Sequence, residues 1–506
     1  MKMQYLLAVD VGTTAVKSGL FCTDGRCLAI ARQEYQLDTP AVDRAELDAE
    51  IYWQACVATI RQVLELGKVD ANLVTALGVS SQGETLICVD ADGRPLYPAI
   101  VWLDNRATVQ AGQLASQFSA RAYEMTGIPE VIATWPACKI KWLKDNEAQV
   151  FERVDKFLLV QDFIVRRLTG KFISNASIAC TSLYFDFVNN GWWQPVLEAI
   201  GISSTQLPEL GAPGAVVGEL LPAIAEQLGL SPALQVVACG MDQCSGAIGA
   251  GNIFPGCCSE TTGAALTIQV SVPAPDIDKN KIIPVYAHSI AGQYLLVPVC
   301  PTAGMAYKWF RDVFCSPEID QAARDGQDSY ELVTRLAASV APGSEGLLLL
   351  PHLMGAYSPT PNTAARGSFT GFTLTHTRGH FARAVLEGVA FLLKLNLDVI
   401  LGTGLQISEI RSTGGGSKSA LWNQIKANMC NLPVVSLVNE DTALIGDAVL
   451  AGVACGGFES VAQGCQVMLD LKDRFHPDAD TQVYTEAYNR YCDLDRTLEG
   501  YYQRNY

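Results

Sequence analysis

The 506-residue chain holds 16 cysteines but no Cys-X-X-Cys pair, and only five histidines. The spacing that seats a structural zinc is therefore absent, which excludes zinc-ribbon scaffolds. His376 and His380 stand four residues apart, but Gly379 interrupts them and no third ligand is near, so a metal pair is rejected. Basic charge is also scarce: 36 Lys and Arg against 52 Asp and Glu leave a net charge of −16. That balance counts against nucleic acid and anionic membrane as partners, though not against a nucleotide held by local amides and a metal ion. No apolar run approaches the roughly 20 residues of a membrane helix. The N-terminal run in "MKMQYLLAVDVG" is cut at Asp10, too short for a signal peptide, so a cytoplasmic location with reduced thiols is expected. Two nucleotide fingerprints fail as well. Walker A needs Gly before Lys-Ser, but Ser417 precedes Lys418, and "GAIGAG" lacks the GxGxxG spacing of a dehydrogenase.

What is present is a globular composition, 49% hydrophobic and 17% charged, on a chain long enough for at least two cores. "YLLAVDVG", "AVKSGLFC" and "CLAIARQEY" read as strands separated by "GTT" and "TDGR", and an amphipathic helical stretch follows them. From about residue 235 the same grammar restarts with "LQVVACGMDQ", "CCSETTGAALTIQV" and "ISEIRSTGGGSK". Two halves are expected, 1–240 and 241–506, each with strands ending in Gly/Ser/Thr/Asp loops that face the other half across a cleft.

Asp10 ends an apolar strand and meets a hydroxyl-rich turn, the pattern of an acidic side chain beside a phosphate cradle; a plain turn is the simpler reading of that stretch alone. Asp242 follows another apolar strand and opens a helix so rich in Gly and Ala that something must pack closely on it. It reads either as a helix N-cap or as a general base for phosphoryl transfer to an alcohol. "RSTGGGSKSALWNQ" is a glycine loop between strand and helix, open to a flat ligand or merely flexible. Glu84, Trp102, Asp104 and Arg106 combine carboxylates with an indole, which suits a polyol and equally an ordinary surface hairpin.

Taken in order along nearly the whole chain, "AVDVGTTAVKSGLF", "SSQGETL", "KIKWLKDN", "GMDQCSGAIGAG", "ETTGAAL" and "GGGSKSALWNQIKANMCNLPV" resemble the motifs of the FGGY carbohydrate kinases, xylulokinase-like branch. The resemblance implies an α/β fold of two ribonuclease H-like domains, the actin–Hsp70–hexokinase ATPase architecture, around a central cleft. It implies a sugar-binding N-terminal and a nucleotide-binding C-terminal domain, with ATP and Mg²⁺ as cofactors and often a homodimer. Asp242 becomes the general base and Asp10 the residue at the Mg²⁺. Thr13, Thr14, Thr261 and Thr262 lie around the phosphates, Gly304 and Lys308 near the nucleotide, and Gly414, Gly415 and Ser419 beside the adenosine. Gly83, Glu84, Trp102, Asp104 and Gln243 face a small-molecule sugar. Two departures stand out: Gly83-Glu84 replaces the Met-His-Gly of xylulokinases, and Glu260 stands where the second phosphate motif usually has Gly. A ketopentose such as D-xylulose is the expected substrate. Glycerol, erythritol or gluconate is the alternative within the family, and an actin- or chaperone-like ATPase or a non-catalytic sugar sensor the alternative outside it.

Overall fold

A computed structural model describes residues 4–505. Six strands form the first sheet in the order Val216–Glu219, Gln235–Met241, Val74–Ser81, Tyr5–Val11, Ala15–Cys22, Cys27–Glu34. Tyr5–Val11 is central, antiparallel to Ala15–Cys22 and parallel to Val74–Ser81. Leu6, Leu7, Ala8, Val9 and Val11 are all buried, as a strand covered on both faces requires. The second sheet, of eight strands, repeats the plan. Cys257–Thr262 is antiparallel to Leu266–Val272 and parallel to Glu409–Thr413, which pairs parallel with Val434–Leu437. The repeat inferred from the sequence is thus a repeat of topology: an antiparallel hairpin whose first strand pairs parallel with a strand far along the chain.

The two halves are joined by more than the chain. Helix Thr442–Ala454, late in sequence, packs on strands Tyr5–Val11, Val74–Ser81 and Gln235–Met241 of the first sheet, and on helix Asp242–Gly249. The small residues of "CSGAIG" are explained by that crossing. A Cβ on Gly249 would lie 1.8 Å from the Thr442 carbonyl oxygen, and one on Gly446 would lie 1.9 Å from that of Ser245. Backbones can approach so closely only where neither helix has a side chain. The crossing places the first turn of the Asp242 helix at the C-terminal ends of the parallel strands, the usual ligand end of such sheets.

Candidate functional site

Asp10 lies one residue from the end of its strand, with Lys17 opposite on the antiparallel side and Ser80 opposite on the parallel side. Its Oδ1 is buried without a hydrogen-bond partner. Burial pushes its carboxyl above the ordinary range, Lys17 pulls it back, and Asp441 raises it again. Lys17 itself reaches across to Asp441, Nζ to Oδ1 2.6 Å, so the neighbouring cation already has an anion. The turn after Asp10 is braced: the Tyr35 hydroxyl donates to the Gly12 carbonyl, and Trp102 Nε1 donates to Thr13 Oγ1 at 2.7 Å. Thr14 is exposed.

Asp242 opens its helix after Met241, which holds the cap position, so the N-cap reading gives way to a residue of the first turn. Its Oδ1 accepts from the Gln243 backbone N–H at 2.7 Å. Burial raises its proton affinity most, the Asp10 charge adds to this, the Gln243 N–H opposes it, and the Glu84 charge raises it further. Asp242 therefore senses the charges of both Asp10 and Glu84, although the three come from distant segments. Glu84 sits at φ 63°, a left-handed conformation unusual outside glycine. It is held there by two hydrogen bonds: its N–H donates to Thr181 Oγ1 at 3.1 Å, and its carbonyl accepts at 2.8 Å from Lys139 Nζ, which also donates to the Val101 carbonyl at 3.0 Å. Burial raises the Glu84 carboxyl and lowers the Lys139 ammonium, each opposed by the other's charge. Gly83 is needed because its Cβ would stand 2.8 Å from Thr181 Cγ2.

On the second sheet, Thr261 is partly exposed and its hydroxyl pairs with that of Thr413 at 2.8 Å. Gly304 packs on Gly263, where its Cβ would lie 2.4 Å from the carbonyl oxygen. Gly414, at φ 73°, lies against Thr261 and Thr262, and a Cβ on Gly415 would meet nothing within 4 Å. Ser419 accepts from the Trp422 N–H at 3.2 Å and so caps helix Ala420–Cys430. Lys308 is exposed and pairs with Asp312 at 2.5 Å, one turn on along its own helix.

Two of the expected site residues are turned to partners within the protein. Asp104 is fully buried and accepts from Arg106 Nε at 2.8 Å, Arg106 Nη2 at 2.7 Å and the Ala45 N–H at 2.7 Å. The Arg106 guanidinium lies 5.0 Å from the Trp142 ring. Thr262 is turned inward, its hydroxyl donating to Glu260 Oε2 at 2.7 Å and accepting from Lys426 Nζ at 2.9 Å. Strand alternation is the reason, since Glu260 and Thr262 share one face and Thr261 takes the other.

Sequence reasoning missed Lys139, Thr181, Lys426 and Asp447. Asp447 lies on the Thr442 helix, accepts from Ser80 Oγ at 2.7 Å, and leaves Oδ1 buried without a partner. Burial raises its carboxyl well above the ordinary range, with the Asp10 charge contributing. A signal was available: a single carboxylate in the otherwise apolar run "TALIGDAVLAGVA". Among the described residues no cluster of three or more His, Cys, Asp or Glu is arranged to hold a metal ion. Asp10 with its unpartnered oxygen fits a Mg²⁺ that takes one protein carboxylate and completes its shell with phosphate and water. No helix of the described residues is long and apolar enough to cross a membrane.

Known proteins resemble this chain over nearly its whole length. Residues 5–249 match the N-terminal domain of the FGGY family of carbohydrate kinases, and residues 261–455 its C-terminal domain. A xylulose kinase from Bacillus subtilis (strain 168) is 28% identical over 510 residues, covering 99% of both chains. A gluconokinase from the same organism is 28% identical over 501 residues, covering 98% of this chain and 97% of that one. Crystal structures of a ligand-bound xylulose kinase and a gluconate kinase from Lactobacillus acidophilus each superpose with a TM-score of 0.91 at 26% identity, over 99% of this chain and 99% and 100% of theirs. With the fold and both halves of the domain pair accounted for, this chain belongs to the FGGY family of carbohydrate kinases and is a sugar kinase.

Proposed function

We propose that this kinase transfers the γ-phosphoryl group of ATP to a hydroxyl of a ketopentose such as D-xylulose, with Asp242 as general base. The observation that carries the reading is the position of Asp242. It is a half-buried carboxylate in the first turn of a helix, its proton affinity raised by desolvation and by the charges of Asp10 and Glu84. A carboxylate so placed holds the proton of an attacking hydroxyl better than an ordinary aspartate would. Glu84, Trp102 and Gln243 would receive the sugar, the first fixed by Lys139 and Thr181 and the second by its bond to Thr13. Thr13, Thr14 and Thr261 would meet the phosphates, and Gly414 and Gly415 would leave room for the adenosine. The halves 1–240 and 241–506 would then serve sugar and nucleotide respectively.

The unpartnered Oδ1 of Asp10 would hold Mg²⁺, whose charge when bound offsets that of the phosphates. The Thr442 helix packs on both the Asp10 strand and the Asp242 helix and would hold the two carboxylates in register. Relatives named gluconokinase support gluconate as the second reading, at similar identity and coverage.

The test is ADP release with Mg²⁺-ATP against D- and L-xylulose, D- and L-ribulose, gluconate, glycerol, erythritol and a no-sugar control. Stimulation by one ketopentose above all others is expected. A preference for gluconate would replace the substrate, and hydrolysis indifferent to every sugar would overturn the reading.

A further inference from the structure

Gln243 follows the candidate base and is partly exposed, and a chain of hydrogen bonds behind it orients its amide. The chain of bonds begins at a backbone carbonyl. Asn252 Nδ2 donates to the Gln269 carbonyl oxygen at 2.7 Å, and that oxygen can only accept. The Asn252 amide is thereby oriented, and its second N–H donates to Ser259 Oγ at 3.1 Å. Ser259, having accepted, turns its own proton to Gln269 Oε1 at 3.0 Å. Gln269 must then present Nε2, which donates to Gln243 Oε1 at 2.7 Å. Asn252, Ser259 and Gln269 are at most 2% exposed, so water has no access to reverse any link. Flipping any one amide would set two donors or two acceptors against each other in a buried place.

We infer that Gln269 is a positioning residue for substrate selection: by fixing Gln243 Oε1 inward it turns the Gln243 NH₂ toward the substrate, so the site recognises an oxygen that accepts without donating. A carbonyl or carboxylate oxygen meets this demand fully. A hydroxyl in its place accepts as well but brings a proton that needs an acceptor of its own. The kinase therefore selects ketoses or aldonates over the alditols of the same length. This rests on the kinase reading above, and it adds a direction to the bond that the sugar makes.

The experiment measures kcat/KM for D-xylulose against xylitol, and for gluconate against glucitol, in the wild type and in Gln269→Met, Gln243→Met and the double variant. Methionine keeps the volume of the side chain and removes the donor. In Gln269→Met, with Gln243 free to turn, the preference for the oxidised sugar is expected to fall about tenfold through KM for the sugar, with KM for ATP unchanged. In the Gln243→Met background the same substitution is expected to change the ratio less than twofold, because its effect passes through Gln243. An unchanged ratio in Gln269→Met that still melts as one folded protein would overturn the inference, as would an equal effect in both backgrounds. Failure of every sugar to stimulate the wild type would instead overturn the kinase reading, so the two failures are distinguishable.

Discussion

Lys426 Nζ stands 2.6 Å from Glu260 Oε1, and both side chains are wholly shielded from solvent. Glu260 was the departure that set the second phosphate motif apart, and Lys426, from helix Ala420–Cys430, is its counter-charge. The pair is completed by Ser412 and Thr262, whose hydroxyls both donate to the Glu260 carboxylate, and by the Trp422 ring 5.3 Å from the ammonium. Each oxygen of Glu260 is satisfied. A glutamate is thus accommodated behind the Thr261 turn without entering it.

Removing one member of that pair leaves the other charged and buried. Lys426→Met is expected to destabilise the protein by about 3–5 kcal/mol, and Glu260→Gln with Lys426→Met together to recover most of the loss. Urea unfolding of the two variants beside the wild type checks this. A single variant as stable as the wild type would show that the buried pair contributes nothing.

The kinetics follow from the three carboxylates. Asp242 must be ionised to accept a proton, and the negative charges of Asp10 and Glu84 both favour its protonated form. The acid limb of kcat/KM is therefore expected above the ordinary aspartate value of about 4. Glu84→Gln removes one of those charges, lowers the Asp242 proton affinity, and moves the limb to lower pH by about one unit. Asp242→Ala is expected to lose about 10²- to 10⁴-fold in kcat while still binding ATP. A pH–rate profile of each variant, with calorimetric ATP titration for the last, provides the measurement.

Gly446→Ala is expected to act against ordinary helix propensity. In an open helix the change stabilises by about 1 kcal/mol. Here the new methyl group would meet the Ser245 carbonyl at 1.9 Å, forcing apart the helices that join the two halves. A loss of about 3 kcal/mol is the expected sum, of the order of other overpacked cores. Gly415→Ala, which meets nothing within 4 Å, is the control for thermal unfolding.

Much of this protein is determined by local chemistry and so could be read from the chain. Apolar runs ending in "DVGTT" and "GMDQ" specify strands that end beside a carboxylate, whereas the restart near residue 235 does not mark the second sheet: Gln235–Met241 joins the first, and the repeated plan begins at Cys257–Thr262. The glycines of "CSGAIG" announced a close neighbour. The identity of that neighbour, the Thr442 helix some 200 residues on, was a matter of tertiary structure, because helix crossings depend on which surfaces meet rather than on any local pattern. The same limit holds for two further residues. A carboxylate beside an indole suits a sugar, yet only the fold brings Arg106 and the Ala45 N–H onto Asp104. Thr262 looked equivalent to Thr261, but strand alternation and the distant Lys426 decide which hydroxyl faces inward. The sequence by itself determined the strands, the glycine contacts and the types of residue available for chemistry. Tertiary structure alone decided their partners, because a buried charge or amide takes its role from whatever the fold sets within about 3 Å of it.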